Sequence, residues 1–135
     1  MKITFISPNR ADINAHFNLL KPAFNGVAFA KEEYQFCCEA VRNKQASLYQ
    51  VKAEGVDVRF VGVVTEDNDY LILALTGKGL VKTANFIIDA VGGQGYRSIK
   101  YHTVRSGMIR ILSRFGFCGV KTDIDTVLTL NMEEC

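Results

Sequence analysis

The hydrophobic period of this chain changes at Ser47, and that change limits the folds open to it. Upstream, apolar residues recur at helical spacing. Ile13, Phe17 and Leu20 form one stripe behind a cap at Asp12, expected to end near Pro22 to Gly26. Tyr34, Cys37, Cys38 and Val41 form a second stripe over 31–46, with Lys31, Glu32, Glu39 and Arg42 facing out. From Ser47 the spacing is that of strands. Strands are expected at 47–53, 56–65 and 70–75, separated by turns at Glu54-Gly55 and at Glu66 to Asp69. The run Phe60-Val61-Gly62-Val63-Val64 is apolar on both alternating sets, which marks a central strand covered on both faces.

The remaining elements follow from the same signals. Lys2 to Ile6 is β-branched and aromatic, and Pro8 stops it, so it is a first strand. After 70–75 comes Thr76-Gly77-Lys78-Gly79 as a turn. A helix follows, with Leu80, Ala84, Ile87, Ile88 and Val91 as its stripe and a left-handed stop at Gly92-Gly93. A strand at 96–104 leads to a short helix capped by Ser106, with Met108, Ile109, Leu112 and Phe115 inward and Gly116 as its left-handed end. Residues 117–132 read as two strands about a turn at Thr122-Asp123 or at Asp125. The expected fold is α+β. It has a mixed central sheet of about six to seven strands, two helices before the strand meander and two after it. The strands at 70–75 and 96–104 should be parallel neighbours joined by a right-handed crossover.

The chain has 135 residues, which suits one domain over 1–135. Its start lacks the basic segment and apolar run of a signal peptide, and its longest apolar runs fall far short of the ~20 residues of a membrane span. A cytoplasmic location without membrane partners is the expectation. Cys37, Cys38, Cys118 and Cys135 read as small buried apolar groups in a reducing compartment. The adjacent pair Cys37-Cys38, with only His16 and His102 as histidines, offers no metal-ligand pattern, so no metal is expected. A cysteine nucleophile beside His102 stays open as a minor alternative. Between Ala90 and Thr122 there is no acid, but there are Arg97, Lys100, Arg105, Arg110, Arg114 and Lys121. Such a field suits phosphate, or else these cations simply solvate two exposed faces.

The stretch from Leu71 to Leu80 carries the most chemistry. An apolar strand runs into Gly77-Lys78-Gly79 and then a helix, whose amino terminus has free N–H groups and a partial positive charge. This is either a pyrophosphate site or a tight turn that needs glycine for its dihedrals. There is neither a Walker P-loop nor a dinucleotide fingerprint.

The element order, with Gly77-Lys78-Gly79, Gly107-Met108-Ile109-Arg110 and Phe115-Gly116-Phe117, resembles the GNAT superfamily of acyl-CoA-dependent N-acyltransferases. That resemblance implies acetyl-CoA or CoA as cofactor and an amine-bearing small molecule or protein as acceptor. It implies pairing of the cofactor's pantetheine arm with the bulged fourth strand, around Leu73 and Leu75. It also implies a pyrophosphate on Gly77, Lys78, Gly79 and Leu80, with Arg105 as a further cofactor-binding residue. Ala74 stands where the family carries Gln or Arg, Arg105 where it carries Asn, and Leu112 where it carries the acid Tyr. Candidates for acid–base work are Glu66, His102 and Tyr101, with Asp67, Asp69 and Tyr70 behind them. A narrower likeness joins Leu75-Thr76-Gly77-Lys78 and Ile109-Arg110-x-Leu112-x-x-x-Gly116 to GNAT-like proteins of tailed phages, including internal virion proteins. On that alternative the chain is non-catalytic, its partners are phage or host proteins, and the virion is its location. Nucleic-acid binding through Arg97 to Lys121 ranks last, because interleaved exposed aromatics are missing.

Overall fold

In the computed structural model, which describes residues 1–132, the strands are β1 (Lys2–Ile6), β2 (Ser47–Ala53), β3 (Val56–Val64), β4 (Asp69–Lys78), β5 (Ser98–Thr103), β6 (Cys118–Lys121) and β7 (Thr126–Asn131). The helices are α1 (Ile13–Leu20), α2 (Ala30–Arg42), α3 (Leu80–Gly92) and α4 (Ser106–Ser113), with a 3-10 turn at Lys21–Phe24. One seven-stranded sheet runs in the order β1-β2-β3-β4-β5-β7-β6. Its pairs are antiparallel except β4–β5, which is parallel from Asp69↔Ser98 to Ile72↔Tyr101. The predicted α+β class, strand count and parallel neighbours are all present.

Alternation sorts the sheet's side chains onto two faces. Ile6, Leu48, Val61 and Ala74 pack with Phe17 and Leu20 of α1 and Cys37 and Val41 of α2. Val58, Phe60, Ile72, Leu75, Ile99 and Leu128 pack with Ile87 and Val91 of α3 and Met108 and Leu112 of α4. The central strand β3 is buried on both faces from Val58 to Gly62, with the Arg59 guanidinium held by His16 and Asp57.

Several local expectations are corrected. Helix α2 stops at Arg42 rather than Ala46, because Lys44 turns left-handed and the N–H groups of Gln45 and Ala46 both return to the Ala40 carbonyl. Asp12 precedes α1 without capping it, since its carboxylate is taken by Arg10 and His16. Ser106 opens α4 as a helical residue, and the cap position is held by Arg105. The left-handed residue after α3 is Gly95, not Gly92 or Gly93. Gly116 is left-handed as expected, at φ 95°. Cys37 and Cys38 are buried, but Cys118 is exposed on the edge strand β6. Cys135 lies outside the described residues.

The largest correction concerns the stretch read as a glycine turn. Thr76, Gly77 and Lys78 continue β4, paired with Arg59, Val58 and Asp57 of β3. A side chain at Gly77 would place its Cβ 2.2 Å from the Asp57 carbonyl oxygen, so this glycine lets two strands approach. Gly79, at φ 86°, is the cap residue of α3, and its missing Cβ faces the Gly55 carbonyl and Val56 at 2.9 Å each. Both glycines are explained by packing against β3 and the turn before it.

Candidate active site

A cleft opens where β4 and β5 part. Their pairing ends at Ile72↔Tyr101. Beyond that point β4 stays with β3 as far as Lys78, while β5 stays with β7 as far as Thr103↔Thr126. The register of β4 on β3 slips between Val61↔Ala74 and Gly62↔Ile72, which makes Leu73 the extra residue of a bulge. It is the one residue of β4 with no partner in either register. A bulge leaves the N–H and C=O of its extra residue outside the ladder and bends the strand. Leu73 therefore helps to open the cleft and brings its backbone to it outside the regular register.

The resulting cavity measures about 350 Å³. Leu71 to Leu73 line it from β4, and Tyr101 to Val104 from β5 and its end. The segment from Ala23 to Phe29, Glu33 of α2, and Ile124 and Asp125 of the β6–β7 turn close the other sides.

His102 and Asp125 meet there. His102 Nδ1 lies 3.0 Å from Asp125 Oδ2. Asp125 is fixed in turn, because Thr122 Oγ1 donates to its Oδ1 at 2.8 Å. An ionised carboxylate can only accept, so the tautomer that suits this contact donates from Nδ1, and in the neutral ring it turns Nε2 outward as an acceptor. The ring is half exposed and lines the cavity. The other histidine has no such freedom. His16 is buried, accepts at Nδ1 from Arg59 Nε at 3.0 Å, and faces Asp12 with Nε2 at 3.2 Å. Arg59 can only donate, so His16 Nδ1 is the acceptor in this contact.

The other predicted residues fall in several places. Tyr101 is buried in the core on the α3–α4 side and meets the cavity as part of its floor, and burial pushes its phenol pKa up. Glu66 and Asp67 are exposed in the β3–β4 turn and line no part of the cavity. Asp69 is a structural group: it accepts from Arg97 Nε and Nη2, at 3.1 and 2.8 Å, and from Ser98 Oγ at 2.6 Å, with Lys100 Nζ 3.6 Å away. These partners, Arg97 foremost, hold its carboxyl well below the usual carboxylate range. Two members of the basic stretch are thereby tied to one acid. Tyr70 is buried over Gly62 and against Tyr96. Arg105 donates from Nη2 to the Ala23 carbonyl at 3.3 Å, tying the segment before α2 to the start of α4. Among the described residues no cysteine lines the cavity, and burial pushes the Cys37 thiol up to about 12.

Sequence reasoning missed Asp125 and Glu33. Asp125 reads as a turn residue, and its approach to His102 follows from the β5–β7 register, in which His102 stands opposite Val127. Nothing in the helical spacing singles out Glu33, and only the placement of α2 against the cavity distinguishes it.

On the α3–α4 side, the features that suit acyl-CoA are divided. The amino end of α3 has no side-chain cap and no acid in its first turn, and Lys78 and Lys82 are exposed beside it, so it fits an anion. Leu73 fits the acyl end, with backbone groups outside the ladder. Between them Ile72, Leu75, Leu80, Met108 and Leu112 close the crevice to about 20 Å³, room for one water. A pantetheine arm fits there only with those side chains displaced.

No family model and no curated protein matches this chain. Solved structures do. The chain is similar to a Bacillus subtilis acetyltransferase in complex with CoA at a TM-score of 0.69 and 14% identity, covering 96% of this chain and 97% of that one. It is similar to an aminoglycoside 6'-acetyltransferase of type Ii at a TM-score of 0.67 and 11% identity, covering 100% and 99%. It is similar to a GNAT-family acetyltransferase of Staphylococcus aureus at a TM-score of 0.66 and 16% identity, covering 98% and 100%. A seven-stranded mixed sheet with a bulged β4, parted from its parallel neighbour between two pairs of helices, is the GNAT fold, and this chain has it.

Proposed function

We propose that this protein is an acetyl-CoA-dependent N-acetyltransferase in which His102 is the general base. The observation that carries the reading is the His102–Asp125 pair, standing in the cleft between the parted strands and across from the bulge at Leu73. On this fold alone an activity does not follow. An oriented imidazole with an open nitrogen, next to unpaired backbone groups, is a working arrangement for acyl transfer.

Acetyl-CoA, when bound, supplies the acetyl thioester. The chain's own groups do the rest. The amine would attack as the free base, its ammonium proton having gone to solvent. As the new N–C bond forms and the thioester C–S bond breaks, the nitrogen would shed a second proton to His102 Nε2, which can pass it to the departing sulfur so that the thiol leaves. Asp125 keeps Nδ1 protonated and the ring aimed, and it stabilises the imidazolium. The free N–H of Leu73 is the donor for developing negative charge on the acetyl oxygen. The first N–H groups of α3, with Lys78 and Lys82 beside them, would hold the pyrophosphate. Arg105 acts at one remove, by fixing the cleft wall through Ala23.

Two measurements test the reading. Acetyl-CoA is titrated into the protein calorimetrically, and thiol release is followed with a panel of amines. Binding is expected, and His102→Gln should lower kcat by a factor of about 100 or more while acetyl-CoA affinity stays within about twofold. Full activity in His102→Gln would remove the base. No acetyl-CoA binding at millimolar concentration would overturn the enzyme reading and leave a binding protein on this fold, as in the phage-like alternative.

A further inference from the structure

We infer that the acceptor is a compact, mainly apolar primary amine, taken up as its cation. The inference rests on the acetyltransferase reading for its chemistry, but the cavity itself argues for it.

Three segments distant in sequence bring exposed apolar side chains to one cavity. Phe29 precedes α2, Val104 follows β5, and Ile124 sits in the β6–β7 turn; they are 78%, 38% and 70% exposed. Single exposed apolar residues need no explanation, but three converging on one cavity do. Deeper in, Phe24, Leu71 and Leu73 continue the apolar lining. Phe29 is also held in a left-handed conformation, φ 57° and ψ 42°, as the cap residue of α2, where it makes no side-chain capping bond. Glycine or asparagine would sit there with less strain. A bulky aromatic kept there, exposed at a cavity, points to contact with a ligand.

The charged groups give the second half. The lining includes Glu33 and Asp125 but no lysine or arginine. Glu33 lies one turn into α2, its N–H bonded to the Phe29 carbonyl. Its carboxylate makes no hydrogen bond or ion pair with the described residues, whereas Asp125 is engaged with His102 and Thr122. A free carboxylate beside an apolar wall suits an ammonium group carrying an apolar body. It disfavours acceptors that also bear a carboxylate or phosphate. A volume of about 350 Å³ stands at the low end of small-molecule cavities, which suits a single-ring arylalkylamine.

The test uses equilibrium binding without acetyl-CoA, so it does not depend on turnover. Binding of 2-phenylethylamine, spermidine and phenylacetate to the whole protein is measured by calorimetry, with His102 ring signals followed by NMR. The expected order is 2-phenylethylamine at least tenfold tighter than either of the others, with the His102 signals shifted. Glu33→Gln and Ile124→Ser should each weaken it several-fold while leaving the thermal melt unchanged. Equal or absent binding of 2-phenylethylamine, or no effect of both substitutions, overturns the acceptor class. Thiol release with amines then separates the two ideas. Turnover that prefers spermidine sinks only the acceptor class, whereas tight 2-phenylethylamine binding with no turnover of any amine sinks only the transferase reading.

Discussion

Replacing Gly77 by alanine separates a glycine that serves a ligand from one that serves the sheet. At φ 138° a side chain is strained by about 1–3 kcal/mol before any contact is considered. The new Cβ would also lie 2.2 Å from the Asp57 carbonyl oxygen and 2.7 Å from Val58 Cα, both backbone atoms that cannot swing aside. Restoring ordinary contact requires β3 and β4 to separate there by about 1 Å, which carries a ladder bond out of hydrogen-bonding range. One or two such bonds, between the pairs Asp57↔Lys78 and Val58↔Gly77, add about 0.5–1.5 kcal/mol each. The combined loss is about 1.5–6 kcal/mol, or a fall in Tm of roughly 5 °C or more. Circular dichroism melts and urea titrations of ligand-free protein measure it. Gly107→Ala is the control: it lies in α4 with nothing within 4 Å of the added Cβ, and should be neutral or stabilising by up to about 1 kcal/mol. A Gly77→Ala protein that melts within about 2 °C of wild type would refute the close approach of β3 and β4 as the reason for this glycine.

Two further expectations concern charge and thiols. Asp69 is ionised well below its ordinary value of 3.8, so its bonds to Arg97 and Ser98 contribute stability that is complete above the unfolded carboxylate range and is lost as pH falls below it. Asp69→Asn should therefore destabilise at pH 7, with the gap to wild type closing in acid; urea titrations across pH showing a constant gap would contradict this. Iodoacetamide on the native protein, mapped by peptide mass spectrometry, should modify exposed Cys118 well before Cys37 or Cys38, whose thiols are buried and raised in pKa. Early labelling at Cys37 would place its helix face in solvent.

The periodicity of the sequence determined the secondary elements wherever the signal was local. β1 and β2 run over Lys2–Ile6 and Ser47–Ala53, the spans that their β-branched and aromatic residues mark. The left-handed end of the helix before Phe117 was legible at Gly116, because glycine there is a backbone requirement within one turn. The element order, together with Gly77-Lys78-Gly79, Gly107-Met108-Ile109-Arg110 and Phe115-Gly116-Phe117, carried the resemblance to the GNAT fold. Tertiary structure decided what depends on a second segment of chain. Whether Thr76-Gly77-Lys78 is a phosphate turn or strand depends on the Asp57–Val58 backbone beside it, and glycine suits both. Whether His102 is a packing residue or one of a pair depends on the β5–β7 register, which carries Asp125 to its Nδ1. Local spacing fixes dihedrals and faces, whereas a site is made of side chains from separate elements, and their distances exist only once the sheet has closed its registers.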